Sequence, residues 1–332
     1  DIGGPVGPYL QSERLPLYLE QAEWLVAHDH AYHCFCTEER LEQMRAEQEA
    51  RKQPTGYDRR CRWLTRAEHA AREAAGAPSV IRFAAPLDGQ TTYHDFLRGD
   101  LTFDNHTIDD MILLKSDGYP TYNFANIVDD HLMRITHVIR GEEYISSAPR
   151  YAQVYRAFGW EEPELIHVPL VLAPDRSKLA KRDGALPLQE YRALGYLPEA
   201  IVNYLVLLGW SFDDKAEFFT REELVRAFDM RRISTAPAIF DLGRLDWFNG
   251  HYLRRLAPEE LTRRAWPFLE RDLPAGADLG DREYVTRVLA LDQERFRTLA
   301  TVPALTGFFF VDQPEYDADL LIGKGLDAPS AG

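Results

Sequence analysis

Cysteine is scarce. The chain has three in 332 residues, an odd number that does not make a disulfide framework and points to a reducing compartment. Long apolar runs are missing too: none approaches the roughly 20 residues that cross a bilayer. The first residues, Asp1–Ile–Gly–Gly–Pro5, lack the basic-then-apolar pattern of a secretion signal, so the expected setting is the cytoplasm, with no membrane contact. Positive charge is also short, with 38 Lys and Arg against 53 Asp and Glu and a net charge of −15. Such a balance excludes indiscriminate binding to nucleic acid but leaves room for local basic patches that hold a folded RNA. Arg59, Arg60 and Arg62, then Arg231 and Arg232, then Arg254 and Arg255 are the candidates. No internal repeat occurs, and the Ala/Gly/Asp-rich stretch at 274–281 is the one biased segment.

The remainder has the composition of a globular protein, 45% hydrophobic and 27% charged, and its length suits two or three domains. Apolar residues at Leu15, Leu19, Ala22, Leu25 and Val26 predict an amphipathic helix with Ser12 as its N-cap. Residues 38–51 read as an exposed helix. Short strands are expected at Val80–Phe83, Thr91–Tyr93, Leu101–Phe103 and Met111–Leu114, with Asp117–Gly118 as a turn. A helix follows at Ala148–Phe158. The apolar run His167–Ala173, bounded by Pro174, reads as one buried strand that ends in a loop. Further helices are expected in Leu197–Trp210, with Pro198 at the start, and at Leu261–Leu269 and Glu283–Leu299. The pattern is lost by about Gly307, and the last residues have a disordered composition.

Two stretches carry chemistry. The loop Asp175–Arg–Ser–Lys–Leu–Ala–Lys–Arg–Asp–Gly184 puts Lys178, Lys181 and Arg182 within five residues. That density suits a polyphosphate, Lys acting as a mobile point charge and Arg as a fork. Cys34–Phe–Cys36 is separated from Cys61–Arg–Trp63 by 24 residues, and three thiols so spaced are the beginnings of a tetrahedral zinc site. Trp63 cannot ligate. Tyr57, His33, His69 and water stay open as the fourth donor, beside the alternative of three reduced thiols with no metal.

The basic loop resembles the KMSKS-type loop of class I aminoacyl-tRNA synthetases, in the Lys-Leu-Ser-Lys-Arg form of glutamyl enzymes. Gly7–Arg14, Gly118–His131, Val138–Ile–Arg–Gly–Glu–Glu–Tyr144 and Phe240–Asn249 are similar to glutamyl-tRNA synthetase segments, in the same order. This likeness runs from about residue 1 to about residue 255 and then fades. It implies an α/β fold: a partial Rossmann-type class I catalytic fold with an inserted α/β acceptor-binding domain, then a mainly helical stem-contact region. The implied boundaries are 1–30, 31–117, 118–190, 191–257 and 258–332, the last a partial helical anticodon-side domain and tail. The family's HIGH-type signature is not found, so a chain truncated at both ends is expected.

The resemblance also implies roles. Lys178, Lys181 and Arg182 would stabilise charge on the phosphates of ATP, brought with Mg²⁺. Ala180 stands where the family has Ser, which removes a hydroxyl and leaves the lysines. Arg140, whose planar fork matches a carboxylate, would hold L-glutamate with Tyr122, Asn126 and Tyr144, the last standing where many relatives carry Trp. Glu143 would meet the ribose, and backbone near Val171 and Leu172 the adenine edge, with Lys181 also on ATP. Cys34, Cys36 and Cys61 would hold zinc. Asp129 and Asp130 beside His131 admit a metal or acid–base reading, against structural capping or RNA contacts. The implied partners are tRNA(Glu), glutamate and ATP, and the complete protein would be a monomer. A glutamyl-queuosine tRNA synthetase and a non-catalytic tRNA-binding derivative are the alternatives.

Overall fold

A computed structural model describes residues 3–180, 186–213 and 215–312. Two compact units divide the chain between Val168 and Pro169.

In the first unit, helix α1 (Leu15–Ala27) buries Tyr18, Ala22 and Leu25, the face expected from its periodicity. Its N-cap is Arg14, not Ser12, which lies in a short 3₁₀ turn, Gln11–Glu13. Arg14 is almost wholly buried and binds Asp129 through Nε at 2.7 Å, so a tertiary ion pair, not a local side-chain cap, sets where this helix begins. Strand β1 (Ala31–Cys34) pairs antiparallel with β2 (Val80–Phe83). Between them lie α2 (Glu38–Ala50), capped by Thr37, and α3 (Arg66–Ala74), started by a Thr65–Glu68 capping box. Helix α3 escapes a reading by apolar period because alanine is its one apolar residue type.

Next come the hairpin β3 (Gln90–Asp95) and β4 (Gly99–Asp104), then β5 (Ile112–Leu114), which completes a sheet in the order β1-β2-β5. Helix α4 (Tyr122–Leu132) buries Phe124, Ala125, Ile127 and Val128 against α1 and that sheet. Strand β6 (His137–Gly141), helix α5 (Ala148–Phe158) and strand β7 (Glu164–Val168) form a parallel β-α-β unit. Strand β3 joins it in parallel, with Asp95 opposite Leu165, to give the order β4-β3-β7-β6. Three neighbouring strands therefore carry Asp95, His167 and Arg140, with Arg140 in register with His167.

The expected single strand 167–173 is two strands. β7 stops at Val168, and β8 (Val171–Leu172) belongs to the second unit, where it pairs in parallel with β9 (Ala238–Ile239). Pro169, which has no N–H to give a ladder, stands between them. The second unit is otherwise helical: α6 (Leu188–Ala193), α7 (Pro198–Leu207), α8 (Arg221–Ala227), α9 (Leu242–Arg254), α10 (Pro258–Asp272), α11 (Arg282–Asp292) and α12 (Val302–Thr306). One core gathers Leu253, Leu261, Ala265, Leu269, Val288 and Phe296; another packs Tyr204, Phe240, Leu245 and Phe248.

Candidate functional site

Helix α4 and the carboxyl end of β6 build one site in the first unit. Arg140 is the next-to-last residue of β6, and in open α/β sheets ligands gather at the carboxyl ends of strands. Its guanidinium carbon lies 4.6 Å from the Tyr151 ring centre and 5.1 Å from that of Tyr144, close enough for cation–π attraction to both. Tyr144 is in turn 6.2 Å from Tyr122, which opens the first turn of α4 and is 59% exposed. Asn126 follows one turn later on the same face. Two polar atoms here are buried and unpartnered: Nη2 of Arg140 and Oδ1 of Asn126. Leaving a charged donor unpaired costs stability, which an incoming carboxylate would recover.

Sequence reasoning brought together Tyr122, Asn126, Arg140 and Tyr144. It missed Tyr151, whose hydroxyl donates to Asn123 Oδ1 at 2.7 Å, and His167, whose Nε2 accepts from Arg140 Nε at 3.3 Å. A histidine inside an otherwise apolar strand was the available signal for the second. Burial lowers the pKa of His167, with further lowering from Arg140 partly offset by Asp95. Burial pushes Asp130 up to about 6, with Asp129 adding to the rise and Arg140 opposing it. Asp129 is structural: it accepts from Arg14 at 2.7 Å and from the Tyr18 hydroxyl at 2.8 Å. His131 lies flat against Trp160 at 3.8 Å. The exposed Glu143 side chain folds back over Gly141.

The thiols meet in the same unit. The Sγ atoms of Cys34, Cys36 and Cys61 lie within 4.8 Å of one another, and no other group of His, Cys, Asp and Glu among the described residues has metal-ligand spacing. The Tyr57 hydroxyl sits among them, 3.2 Å from Cys34 Sγ, 3.5 Å from Cys36 Sγ and 3.1 Å from the Cys61 amide. Zinc with Zn–S of about 2.3 Å and Zn–O of about 2.0 Å at tetrahedral angles needs sulfur–sulfur separations of about 3.8 Å and sulfur–oxygen separations of about 3.5 Å. The 3.5 Å between Cys36 and Cys61 and the 3.2 and 3.5 Å from the Tyr57 oxygen to two sulfurs lie within about 0.3 Å of these values. Of the three side chains left open for the last position, Tyr57 is the one against the thiols, where burial and the hydrogen bonds with Cys34, Cys36 and Cys61 push its pKa up. His33 Nδ1 is 3.2 Å from Ser79 Oγ, His69 packs on Phe35, and Trp63 is 65% exposed.

The Cys34 and Cys61 thiols share one proton contact, which lowers the pKa of Cys34 and raises that of Cys61. A thiolate is the form that binds metal. The segment carrying Tyr57 and Cys61 is pinned from below. Asp109 accepts from the Tyr57 amide, and the fully buried Asp110 carboxylate accepts from Tyr32, Arg59, Arg62 and the Ala85 amide.

In the second unit, the loop after β8 is a tight turn. Ala173 N donates to Ser177 O at 3.0 Å, Ser177 N donates to Asp175 Oδ1 at 2.9 Å, and Arg176 has a φ of 65°. Lys178 bridges back to Leu172 and its side chain is exposed. Val171 is exposed and Leu172 half-buried, and the backbone of both pairs with β9. Lys181 and Arg182 lie outside the described residues.

A family model described as tRNA synthetases class I (E and Q), catalytic domain, matches residues 2–247. The chain belongs to that family. An anticodon binding domain model matches residues 260–330. Glutamate–tRNA ligase of Dehalococcoides mccartyi is 49% identical over 328 residues, 98% of this chain and 66% of the relative. That of Moorella thermoacetica is 48% identical over 317 residues, 95% of this chain and 65% of the relative. The chain thus spans just under two thirds of the length of these curated relatives.

Two solved structures also match. A glutamate tRNA ligase from Elizabethkingia meningosepticum, in complex with its amino acid, gives a TM-score of 0.86 at 36% identity, covering 95% of this chain and 67% of that one. The enzyme from Elizabethkingia anophelis gives 0.87 at 36%, covering 96% and 69%. The α/β class expected from the synthetase resemblance is the one found. The expected fading near residue 255 is corrected: similarity continues through α10–α12.

Proposed function

We propose that this synthetase-family protein attaches L-glutamate to tRNA(Glu) in two steps. The α-carboxylate of glutamate attacks the α-phosphate of ATP, giving glutamyl-adenylate and releasing pyrophosphate. The terminal adenosine of the tRNA then takes the glutamyl group and AMP leaves. The observation that carries the reading is Arg140, a cation lying against Tyr144 and Tyr151 with its Nη2 buried and unpartnered. A bidentate guanidinium fits the side-chain carboxylate of glutamate, and Tyr122, Asn126 and Tyr144 complete the pocket.

Lys178, Lys181 and Arg182 stabilise charge that develops on the phosphates, chemistry that depends mainly on positioning and electrostatics. Magnesium enters with ATP. Glu143 serves the ribose, and the backbone at Val171 and Leu172 the adenine. The reaction is placed in the cytoplasm, with the protein acting as a monomer. Zinc is held by Cys34, Cys36, Cys61 and the Tyr57 oxygen, where it ties β1 to the segment around Cys61. The match of 260–330 to an anticodon binding domain counts against a glutamyl-queuosine enzyme.

The test is tRNA-dependent ATP–pyrophosphate exchange with Arg140→Ala. Loss of the carboxylate partner is expected to cost about 2–5 kcal/mol in kcat/KM for glutamate, as for a buried charge pair losing one member. Exchange within about threefold of the parent rejects the role.

A further inference from the structure

We propose that Asp95 and His167 are positioning residues for Arg140, a three-strand relay that aims its guanidinium into the pocket. The inference rests on the reading of Arg140 as the carboxylate partner. It uses groups 45 and 27 residues away in sequence that β3 and β7 place beside β6.

The side chains of Asp95 and His167 are both fully buried, and Nδ1 of His167 lies 2.7 Å from Asp95 Oδ2. Arg140 Nε carries a hydrogen and is 3.3 Å from His167 Nε2, so Nε2 must be the bare, accepting nitrogen. The ring proton therefore sits on Nδ1 and is donated to Asp95. The carboxylate is itself fixed: Oδ2 also accepts from the His167 amide at 3.0 Å, and Oδ1 accepts from the Leu97 and Arg98 amides at 3.1 and 3.0 Å.

Nε is anchored on His167, the guanidinium lies against two tyrosine rings, and Nη2 is left buried with no hydrogen-bond partner. Remote hydrogen bonds that lock a reactive group's orientation are a general way to pre-organise a site.

Asp95→Asn discriminates because both carboxylate oxygens accept. An amide nitrogen at the Oδ1 place would oppose two backbone N–H groups, neither of which can reverse. At the Oδ2 place it opposes one backbone N–H and Nδ1, which can reverse by changing tautomer. The second arrangement is therefore preferred. It moves the ring proton to Nε2, where it opposes Arg140 Nε–H.

The experiment combines calorimetric titration of L-glutamate and, separately, ATP with ¹⁵N NMR of the His167 ring. Asp95→Asn and His167→Leu are expected to weaken glutamate binding about tenfold or more, as for loss of a charge-assisted hydrogen bond, with ATP affinity unchanged. His167→Gln, whose amide oxygen can accept from Arg140 Nε, should stay within about threefold of the parent. The parent ring should show a protonated Nδ1 and a bare Nε2 without any ligand added.

A bare Nδ1 with a protonated Nε2, or glutamate binding by His167→Leu equal to the parent's, overturns the relay. If Arg140→Ala weakens glutamate binding and His167→Leu does not, the relay alone fails. If Arg140→Ala binds glutamate like the parent, the pocket reading fails and the relay with it.

Discussion

Asp110 is where a single substitution should cost the most per atom removed. Its carboxylate is fully buried and accepts from the Tyr32 hydroxyl at 2.7 Å, Arg59 Nε at 3.2 Å, Arg62 Nη1 at 3.3 Å and the Ala85 amide at 3.3 Å. Asp110→Ala leaves two guanidiniums without their counter-charge, and breaking a buried pair in this way costs about 3–5 kcal/mol. For a unit of this size each kcal/mol lowers Tm by about 2–4 °C, so the expected fall is about 6–20 °C. Asp110→Asn should cost less, about 1.5–3 kcal/mol, the range of one hydrogen bond to a charged group, because the Tyr32 hydroxyl can turn and accept from the new amide. The assay is calorimetric unfolding of parent and both variants with metal analysis alongside, since Arg59 and Arg62 flank Cys61. A fall under about 2 °C for Asp110→Ala, or Asn costing more than Ala, refutes the reasoning.

Asp130 should make stability depend on pH with an unusual sign. Burial raises its folded pKa to about 6 from 3.8, so between those values the folded state binds more protons and stability falls as pH rises. Asp130→Asn is then expected to gain about 1–2 kcal/mol over the parent at pH 7, after allowance for solvent screening, and about nothing below pH 4. Denaturant unfolding at the two pH values checks this, and equal differences at both contradict it. The thiol cluster should bind about one zinc per chain, and Tyr57→Phe, which keeps the ring beneath Arg82, should weaken zinc at least about tenfold in a chelator competition. An unchanged affinity would take the fourth position away from Tyr57.

Local patterns were legible wherever the cause is local. Val80–Phe83 and Ala148–Phe158 lie where β-branched content and helical periodicity put them. Tyr122 and Asn126 share a helix face because they are four apart. Three things were not legible, each for a physical reason. Helix α3 is fixed by its capping box and not by an apolar stripe. The start of α1 depends on Arg14 meeting Asp129, 115 residues away. The Asp95–His167–Arg140 line exists because three strands lie side by side, an adjacency no spacing along the chain reports. The thiol cluster was half legible: the Cys spacing suggested a site with Tyr57, His33, His69 and water open beside it, but the placing of the Tyr57 hydroxyl against the thiols needed the fold of 51–63.

The central claim is that Arg140 reads a side-chain carboxylate, and equilibrium titration of L-glutamate against L-glutamine tests it most directly. The two ligands differ in shape by almost nothing and in charge by one unit. The parent should prefer glutamate by at least about tenfold, the difference between a charge-assisted fork and a neutral amide. Arg140→Ala should lose most of that preference while its ATP affinity stays put. Equal binding of both amino acids by the parent, or a preference that survives intact in Arg140→Ala, would contradict the account.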